Sequence, residues 1–569
     1  MKRGMKMICK YRIKSPRGVA TILGIFLLSI LILVISMDRY VNPYDEGLIL
    51  FGADRVFGGS IPHRDFYANY GPGQFYVIAA LYKIFGTSVL IERVWDTLVR
   101  CTIVSLVFVI THQAAPYRLA LLAAGASLVW LAEIRFYAYP IYPALATVLA
   151  AVVFLAPALT GRTSTFRLIA AGICAGAAFL FRYDIGIAAF GVQGAVLAIA
   201  AWCQHALGAG RSRQVVAKIL PFGLGFIIVV GPLVAAFAAL GVIPDLVFDV
   251  FIFPAQFYVK TRSLPFPLPW RPQDAVASAV VYFPLLACAA AVPTIAATMS
   301  FRAGKQSTVS IRGTQRLLPW MLVMLVALTL VFFAKGSVRV STLHMGMALI
   351  SSLALVALLA QPVAGRARFA RALVLAAVLL GANITIGACL RLPFRAARNL
   401  DWAMAPASLA PSADTNVPAA GTCRMPAGLE RLACFQVDAD SVETIRYVQA
   451  RTTPNEPVFI GLSRHDVIFV NDVLLYFIMN RKSATKWHHF DPGLQTSLPI
   501  QQEIVAELQH AQPKLIVLES RWANVREPND SALSSGVTLL DDYLRQAYAP
   551  VAVFGPNTVL ELQAARSAP

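Results

Sequence analysis

The chain has 569 residues, of which 57% are hydrophobic and only 14% charged, against about a quarter charged in a soluble protein. That balance excludes an ordinary soluble fold and implies a polytopic membrane protein, mainly α-helical. The formal net charge of +19 falls mostly in short connections between apolar runs, where it sets orientation, and this excludes nucleic acid as a partner.

Seven basic residues (Lys2, Arg3, Lys6, Lys10, Arg12, Lys14, Arg17) form a tail over 1–17. Residues 18–37 follow without a charge, and at about 1.5 Å per residue they span a hydrocarbon core of roughly 30 Å. Ser36-Met37-Asp38-Arg39 is a poor cleavage site, so an uncleaved first membrane helix is expected. Further spans are expected at 94–112, 118–133, 140–158, 168–181, 185–203, 219–240, 274–298, 317–334, 343–360 and 372–389, about eleven in all. With the N-terminus inside, twenty Lys and Arg fall on inner segments and seven on short outer loops. That asymmetry puts the tail in the cytoplasm, and the 38–93 loop and everything after 390 outside.

The first outer loop gathers Tyr44-Asp45-Glu46-Gly47, the stretch from Gly58 to Tyr67, and Tyr70-Gly71-Pro72. Residues 72–86 are apolar but too short to span, and suit a helix lying in the membrane interface. The membrane domain is expected over 18–390 and a linker over 391–420. A small α/β extracytoplasmic domain follows over 421–569, with helical stretches at 441–451, 500–510 and 538–548. Its strands are expected at 458–460, 515–518, 551–554 and 558–560. Cys423 and Cys434 could join as a disulfide in an oxidising compartment or remain free thiols. The other cysteines show no CxxC or metal-ligand spacing.

Charged groups at the bilayer surface must be hydrated or paired, so their clustering points to chemistry. Asp45, Glu46 and Asp65 are the candidate catalytic carboxylates. The plain alternative for Asp45 and Glu46 is an acidic pair that suits the start of a helix. Arg64, Arg182, Lys260, Arg262, Lys335, Arg339 and His344 could bind a phosphate. Tyr67, Tyr70, Asp184 and Tyr258 could contact substrate. Arg182 could instead simply snorkel to the interface, and His344 alone could be a core histidine. Carboxylates facing Arg, Lys and aromatic residues suit glycosyl transfer from a lipid-linked phosphosugar. The acceptor hydroxyl needs a base, and the departing phosphate needs fixed positive charge. No P-loop and no strand-linked GxGxxG is present. No cofactor is certain; a divalent metal stays possible, with no ligand set beyond carboxylates.

The order of these features resembles the GT-C superfamily of integral-membrane glycosyltransferases, of the protein O-mannosyltransferase and aminoarabinose-transferase type. The resemblance lies in the basic tail, the first membrane helix, Asp45-Glu46 and a Gly59–Pro62 turn. It continues in Asp65 followed by aromatics, Gly71-Pro72 opening an amphipathic helix, Phe85-Gly86, and Arg93 leading into the next span. It implies that Asp45 is the catalytic base, with Glu46 beside it. It also implies a polyprenyl-phosphate donor, an inverting single displacement, and a glycan, lipid or protein acceptor outside a bacterial inner membrane. The sequence departs from the family where Tyr70-Gly71-Pro72-Gly73 replaces a Pro-Pro-Leu-type segment. Two alternatives stay open: a transporter or flippase for lipid-linked sugar, and a non-catalytic envelope assembly protein. Transport would predict repeated halves with matching broken spans, and no internal repeat is visible.

Overall fold

The computed structural model describes residues 16–162, 164–204, 210–304, 313–363, 365–404, 425–490 and 493–563, and about 69% of it is helical. Helices α1 (Pro16–Ser36), α2 (Asp45–Phe57), α3 (Gly73–Phe85), α4 (Val89–Ala114) and α5 (Tyr117–Glu133) open the chain. They continue with α6 (Ile141–Leu155), α7 (Thr165–Phe181), α8 (Tyr183–Cys203) and α9 (Gly210–Ala239). After the short α10 (Ile243–Val247) and α11 (Val259–Arg262) come α12 (Ala275–Gly304), α13 (Gly313–Gly336), α14 (Thr342–Leu359) and α15 (Arg368–Cys389). All eleven expected spans are helices. Among the described residues, nine helices are long and apolar enough to cross a membrane by length and composition; the spans expected at 118–133 and 168–181 form the 17-residue α5 and α7. The protein is thus a multi-pass membrane protein.

Inside lipid every backbone polar group must bond within its own segment, which makes an apolar run a helix. Helices then associate through small residues that let backbones approach. At α7 against α9, a Cβ on Gly172 would lie 2.0 Å from the Phe222 carbonyl oxygen, and one on Gly225 would lie 2.1 Å from that of Ile169. No larger residue fits this crossing.

Helix α3 fulfils the expectation of a short amphipathic helix. Phe75, Ile78, Ala79 and Tyr82 are buried, while Tyr76, Ile84 and Phe85 are exposed.

After α16 (Leu392–Met404), the C-terminal region contains α17 (Ala439–Gln449), α18 (Leu474–Met479), α19 (Leu498–Ala511) and α20 (Leu539–Ala547). Strands β1 (Phe459–Leu462), β2 (Leu515–Glu519), β3 (Tyr548–Phe554) and β4 (Asn557–Leu562) form one sheet in the order β1-β2-β4-β3. β1 and β2 are parallel, and β4 runs antiparallel to both β2 and β3. All four expected strands are present. Cys434 is disulfide-bonded; Cys423 lies outside the described residues.

The core of this region is continuous with that of the first loop. Leu432, Phe435, Leu474 and Phe477 share one buried cluster with Leu48, Phe51 and Phe75. Phe51 stacks on Tyr476 at 4.7 Å, and a Cβ on Gly47 would lie 2.5 Å from the Leu474 nitrogen. Arg431 meets Asp54 at 2.9 Å. The sheet region therefore sits directly on α2.

Candidate active site

A cavity of about 1210 Å³ opens between the helix bundle and the C-terminal region. Its walls come from the segment after α1, the α5–α6 and α7–α8 connections, the chain from α9 to α12, the α13–α14 turn and the start of α16. These are alternate connections, so they lie at one end of the bundle. Val470 and Trp522, which follow the carboxyl ends of parallel strands β1 and β2, also line it. The outside of strand carboxyl ends is the usual ligand crevice of such sheets.

Of the expected residues, Asp45, Tyr67, Tyr70, Arg182, Tyr258, Arg262, Lys335, Arg339 and His344 line this cavity. Asp45 begins α2. The Asn42 side-chain oxygen accepts from the Asp45 and Tyr44 backbone N–H groups at 2.6 and 3.1 Å, a local turn typical of Asn. The helix dipole at this end favours an ionised carboxylate, and Arg135 Nη1 lies 3.7 Å from Asp45 Oδ2.

The neighbouring Glu46 points elsewhere. Arg93 Nε and Nη2 donate to its two oxygens at 2.5 and 2.7 Å, and Asn42 N donates at 3.0 Å. Both side chains are buried. Arg93 also donates to the Asp38 and Tyr40 carbonyls, which pins α4 to the segment before α2.

A further buried set of charges, joined to the first where Glu92 lies 3.7 Å from Arg93, shapes the adjoining wall. Arg100 Nε donates to Asp96 at 2.8 Å, and its other nitrogens donate to the carbonyls of Leu131, Ile134 and Arg135 at 2.5, 3.1 and 2.7 Å. Its guanidinium lies over the rings of Phe136 and Tyr142. Glu92 accepts from the Ala138 N–H, and Gln74 donates to its carbonyl. These intramembrane charges fix the α5–α6 loop that carries Arg135, Tyr137 and Tyr139 into the cavity.

The cations stand in two groups. Arg182 donates to both oxygens of Asp184 at 3.1 and 2.8 Å, and Lys335 Nζ reaches the same carboxylate at 2.8 Å. Arg182 also lies 5.4 Å from the Tyr70 ring centre. In the second group, Arg339 and Arg262 share the Glu527 carboxylate. The Arg339 hydrogen bond holds that carboxyl down to about 2. His344 Nδ1 is 2.7 Å from Ser341 Oγ, and its ring meets Tyr139 edge-on. The chain around Tyr258 is π-helical over Phe248–Ile252 and Pro254–Tyr258, a geometry frequent at functional sites.

Asp65, Arg64 and Lys260 do not line the cavity. Asp65 accepts from Ile61 N at 2.7 Å and from Arg64 at 2.8 and 3.0 Å, and Arg64 holds its carboxyl below the usual range. Nearby, His63 Nδ1 lies 2.9 Å from the buried Asp249, which ties the first loop to the chain after α10. Burial pushes the Asp249 carboxyl up to about 6.

Sequence reading missed Asn42, Arg135, Tyr139, Trp522 and Glu527. The run Arg135-Phe136-Tyr137-Ala138-Tyr139 between two spans carries the same signal as Arg182-Tyr183-Asp184 and could have been found. Glu527 carries none. Among the described residues, no group of three or more His, Cys, Asp or Glu is placed to hold a metal ion.

No family model matches the sequence, and no curated protein matches it. Among solved structures, the fold is similar to that of ArnT from Cupriavidus metallidurans, a GT-C superfamily membrane glycosyltransferase. The apo form aligns with TM-score 0.54 at 14% identity, covering 97% of this chain and 100% of that one. The form bound to undecaprenyl phosphate aligns with TM-score 0.51 at 15% identity, covering 98% and 100%. At such identities the shared property is the GT-C fold.

Proposed function

We propose that this protein is a membrane glycosyltransferase that moves a sugar from a polyprenyl-phosphate carrier to a glycan, lipid or protein acceptor. The cavity faces the outside of a bacterial inner membrane in this reading. The N-terminal tail is cytoplasmic, and the region from 421 onward forms the extracytoplasmic roof. One observation carries the proposal: Asp45 shares a single cavity with Arg182, Lys335, Arg262 and Arg339. The GT-C fold and the undecaprenyl phosphate bound in the similar ArnT structure support the choice of donor.

In the reaction, Asp45 takes the proton of the acceptor hydroxyl as its oxygen attacks the anomeric carbon. The bond from that carbon to the phosphate oxygen breaks, and its electron pair leaves with the phosphate. Attack opposite the leaving group inverts the anomeric centre. Arg182 and Lys335 stabilise the charge that develops on the phosphate, while Tyr67, Tyr70 and Tyr258 supply faces for the sugar and lipid. Glu46, neutralised by Arg93, holds the start of α2 in register and does not reach the reacting atoms.

Asp45→Asn tests this. The amide keeps the shape but accepts no proton, so turnover should fall by about a hundredfold to ten-thousandfold with insertion and thermal unfolding unchanged. A variant retaining more than about a tenth of parental turnover, a margin below the usual effect of losing a base, would remove Asp45 from that role.

A further inference from the structure

The α5–α6 loop is held on both sides of Tyr137. Upstream, Arg100 donates to the Ile134 and Arg135 carbonyls at 3.1 and 2.7 Å. Downstream, Glu92 accepts from the Ala138 N–H, and Gln74 Nε2 donates to the Ala138 carbonyl at 2.6 Å. Tyr137 itself is 1% exposed and lines the cavity. Among the described residues its hydroxyl has no hydrogen-bond partner, yet it is not sealed within the core, so it opens on the cavity. A buried tyrosine O–H usually finds a partner, and here the side open to it is the cavity. Burial, and next the charge of Asp45, hold the phenol well above its usual range, so it stays an O–H donor. Its place in the cavity follows from its neighbours. Arg135, two residues before it, lies 3.7 Å from Asp45. Tyr137 stacks on Tyr139 with ring centres 5.4 Å apart, Tyr139 meets Tyr70 at 5.9 Å, and Arg182 lies 5.4 Å from the Tyr70 ring centre. Tyr137 therefore stands between the carboxylate that takes the acceptor proton and the arginine on the phosphate side. In a displacement at the anomeric carbon, the transferred sugar occupies that interval.

We propose that Tyr137 is a specificity residue whose hydroxyl donates a hydrogen bond to a hydroxyl oxygen of the transferred sugar. The proposal rests on the glycosyl-transfer reading above and names the part of the donor that this wall reads. A site built to hydrogen-bond a substrate hydroxyl rejects a ligand that lacks it, because its own polar group is then left unpaired. The sugar therefore adds to donor affinity beyond the lipid phosphate, and Tyr137 carries part of that addition.

The test is binding of bare undecaprenyl phosphate, and of undecaprenyl phosphate carrying glucose, mannose or arabinose, to the full-length parent and Tyr137→Phe proteins in detergent. The parent should bind at least one of the sugar-bearing lipids more tightly than the bare lipid. Tyr137→Phe should reduce that advantage by about twofold to tenfold, the worth of one neutral hydrogen bond, and leave bare-lipid binding unchanged. Since the hydroxyl bonds to none of the described residues, the Tm of the variant without lipid should match the parent's. Sugar-bearing lipids that bind no better than the bare lipid overturn the proposal, and so does an advantage that survives intact in Tyr137→Phe. An equal loss for bare and sugar-bearing lipids also overturns it. So does a Tyr137→Phe protein that fails to fold, because the hydroxyl would then serve the fold. Failure of this inference is separable from failure of the catalytic reading: an unchanged sugar advantage with an inactive Asp45→Asn protein sinks only the role of Tyr137. A reduced advantage with an active Asp45→Asn protein sinks only the base.

Discussion

Replacing Arg100 should disable the cavity without touching it. The Arg100 side chain is fully buried and makes four hydrogen bonds, one to Asp96 and three to carbonyls at the end of α5 and in the loop beyond. Arg100→Met keeps the length and apolar body of the side chain but leaves the Asp96 carboxylate buried and unpaired. Breaking a buried pair in this way costs about 3–5 kcal/mol. The abandoned carbonyls add to that, each by about 1–3 kcal/mol where no other donor replaces the lost one. Asp96→Leu combined with Arg100→Met removes both charges and should regain the part of the stability lost with the ion pair, since an apolar pair is often as stable as a buried ion pair, but not the part lost with the carbonyls. It cannot regain the hold on the α5–α6 loop. A misplacement of about 1 Å at the reacting groups costs about a hundredfold, so turnover should stay low in the double variant. Thermal unfolding in detergent and transfer kinetics on the same preparations separate the two effects. Parental stability in Arg100→Met, or recovery of both stability and turnover in the double variant, would refute the clamp.

Glu46→Gln should act on folding, because Arg93 would lose the closer of its two buried counter-charges, with Glu92 remaining at 3.7 Å, at a cost of up to about 3–5 kcal/mol. Thermal unfolding should show the loss, while turnover per folded molecule stays near the parent's; an equally stable, inactive variant would return Glu46 to the chemistry. Asp65→Asn removes a partly exposed pair with Arg64, worth at most about 1 kcal/mol, and should leave transfer kinetics near parental. A hundredfold loss of turnover, the usual mark of a missing base, would make Asp65 the base. The Glu527 carboxyl is lowered from 4.5 to about 2 by its bond to Arg339. Its contribution to stability is therefore complete above pH 4.5 and is lost as the pH falls toward 2. The gap in Tm between parent and Glu527→Gln should narrow over that window, and a gap that does not change with pH would contradict the ion pair.

The sequence by itself determined the spans, the short amphipathic helix and the four strands. Lipid and sheet interiors demand apolar runs of set length, and such runs are local in the chain. It also marked Asp45, Arg182, Lys335 and Arg339, because charge beside an apolar run stands out. The difference between Asp45 and Glu46 was not legible. Adjacent helical residues point about 100° apart, and the position of Arg93 decides which carboxylate is buried in an ion pair away from the cavity. Arg100 falls inside the expected span 94–112 and Glu92 just before it, but their role as clamps appears only when the α5–α6 loop folds back over them. Trp522 reaches the cavity, and Glu527 reaches its lining residue Arg339, from more than 180 residues beyond Arg339, and no local pattern encodes that approach. It depends on the C-terminal sheet seating on α2 through a shared core, a contact set by shape complementarity between surfaces distant in sequence.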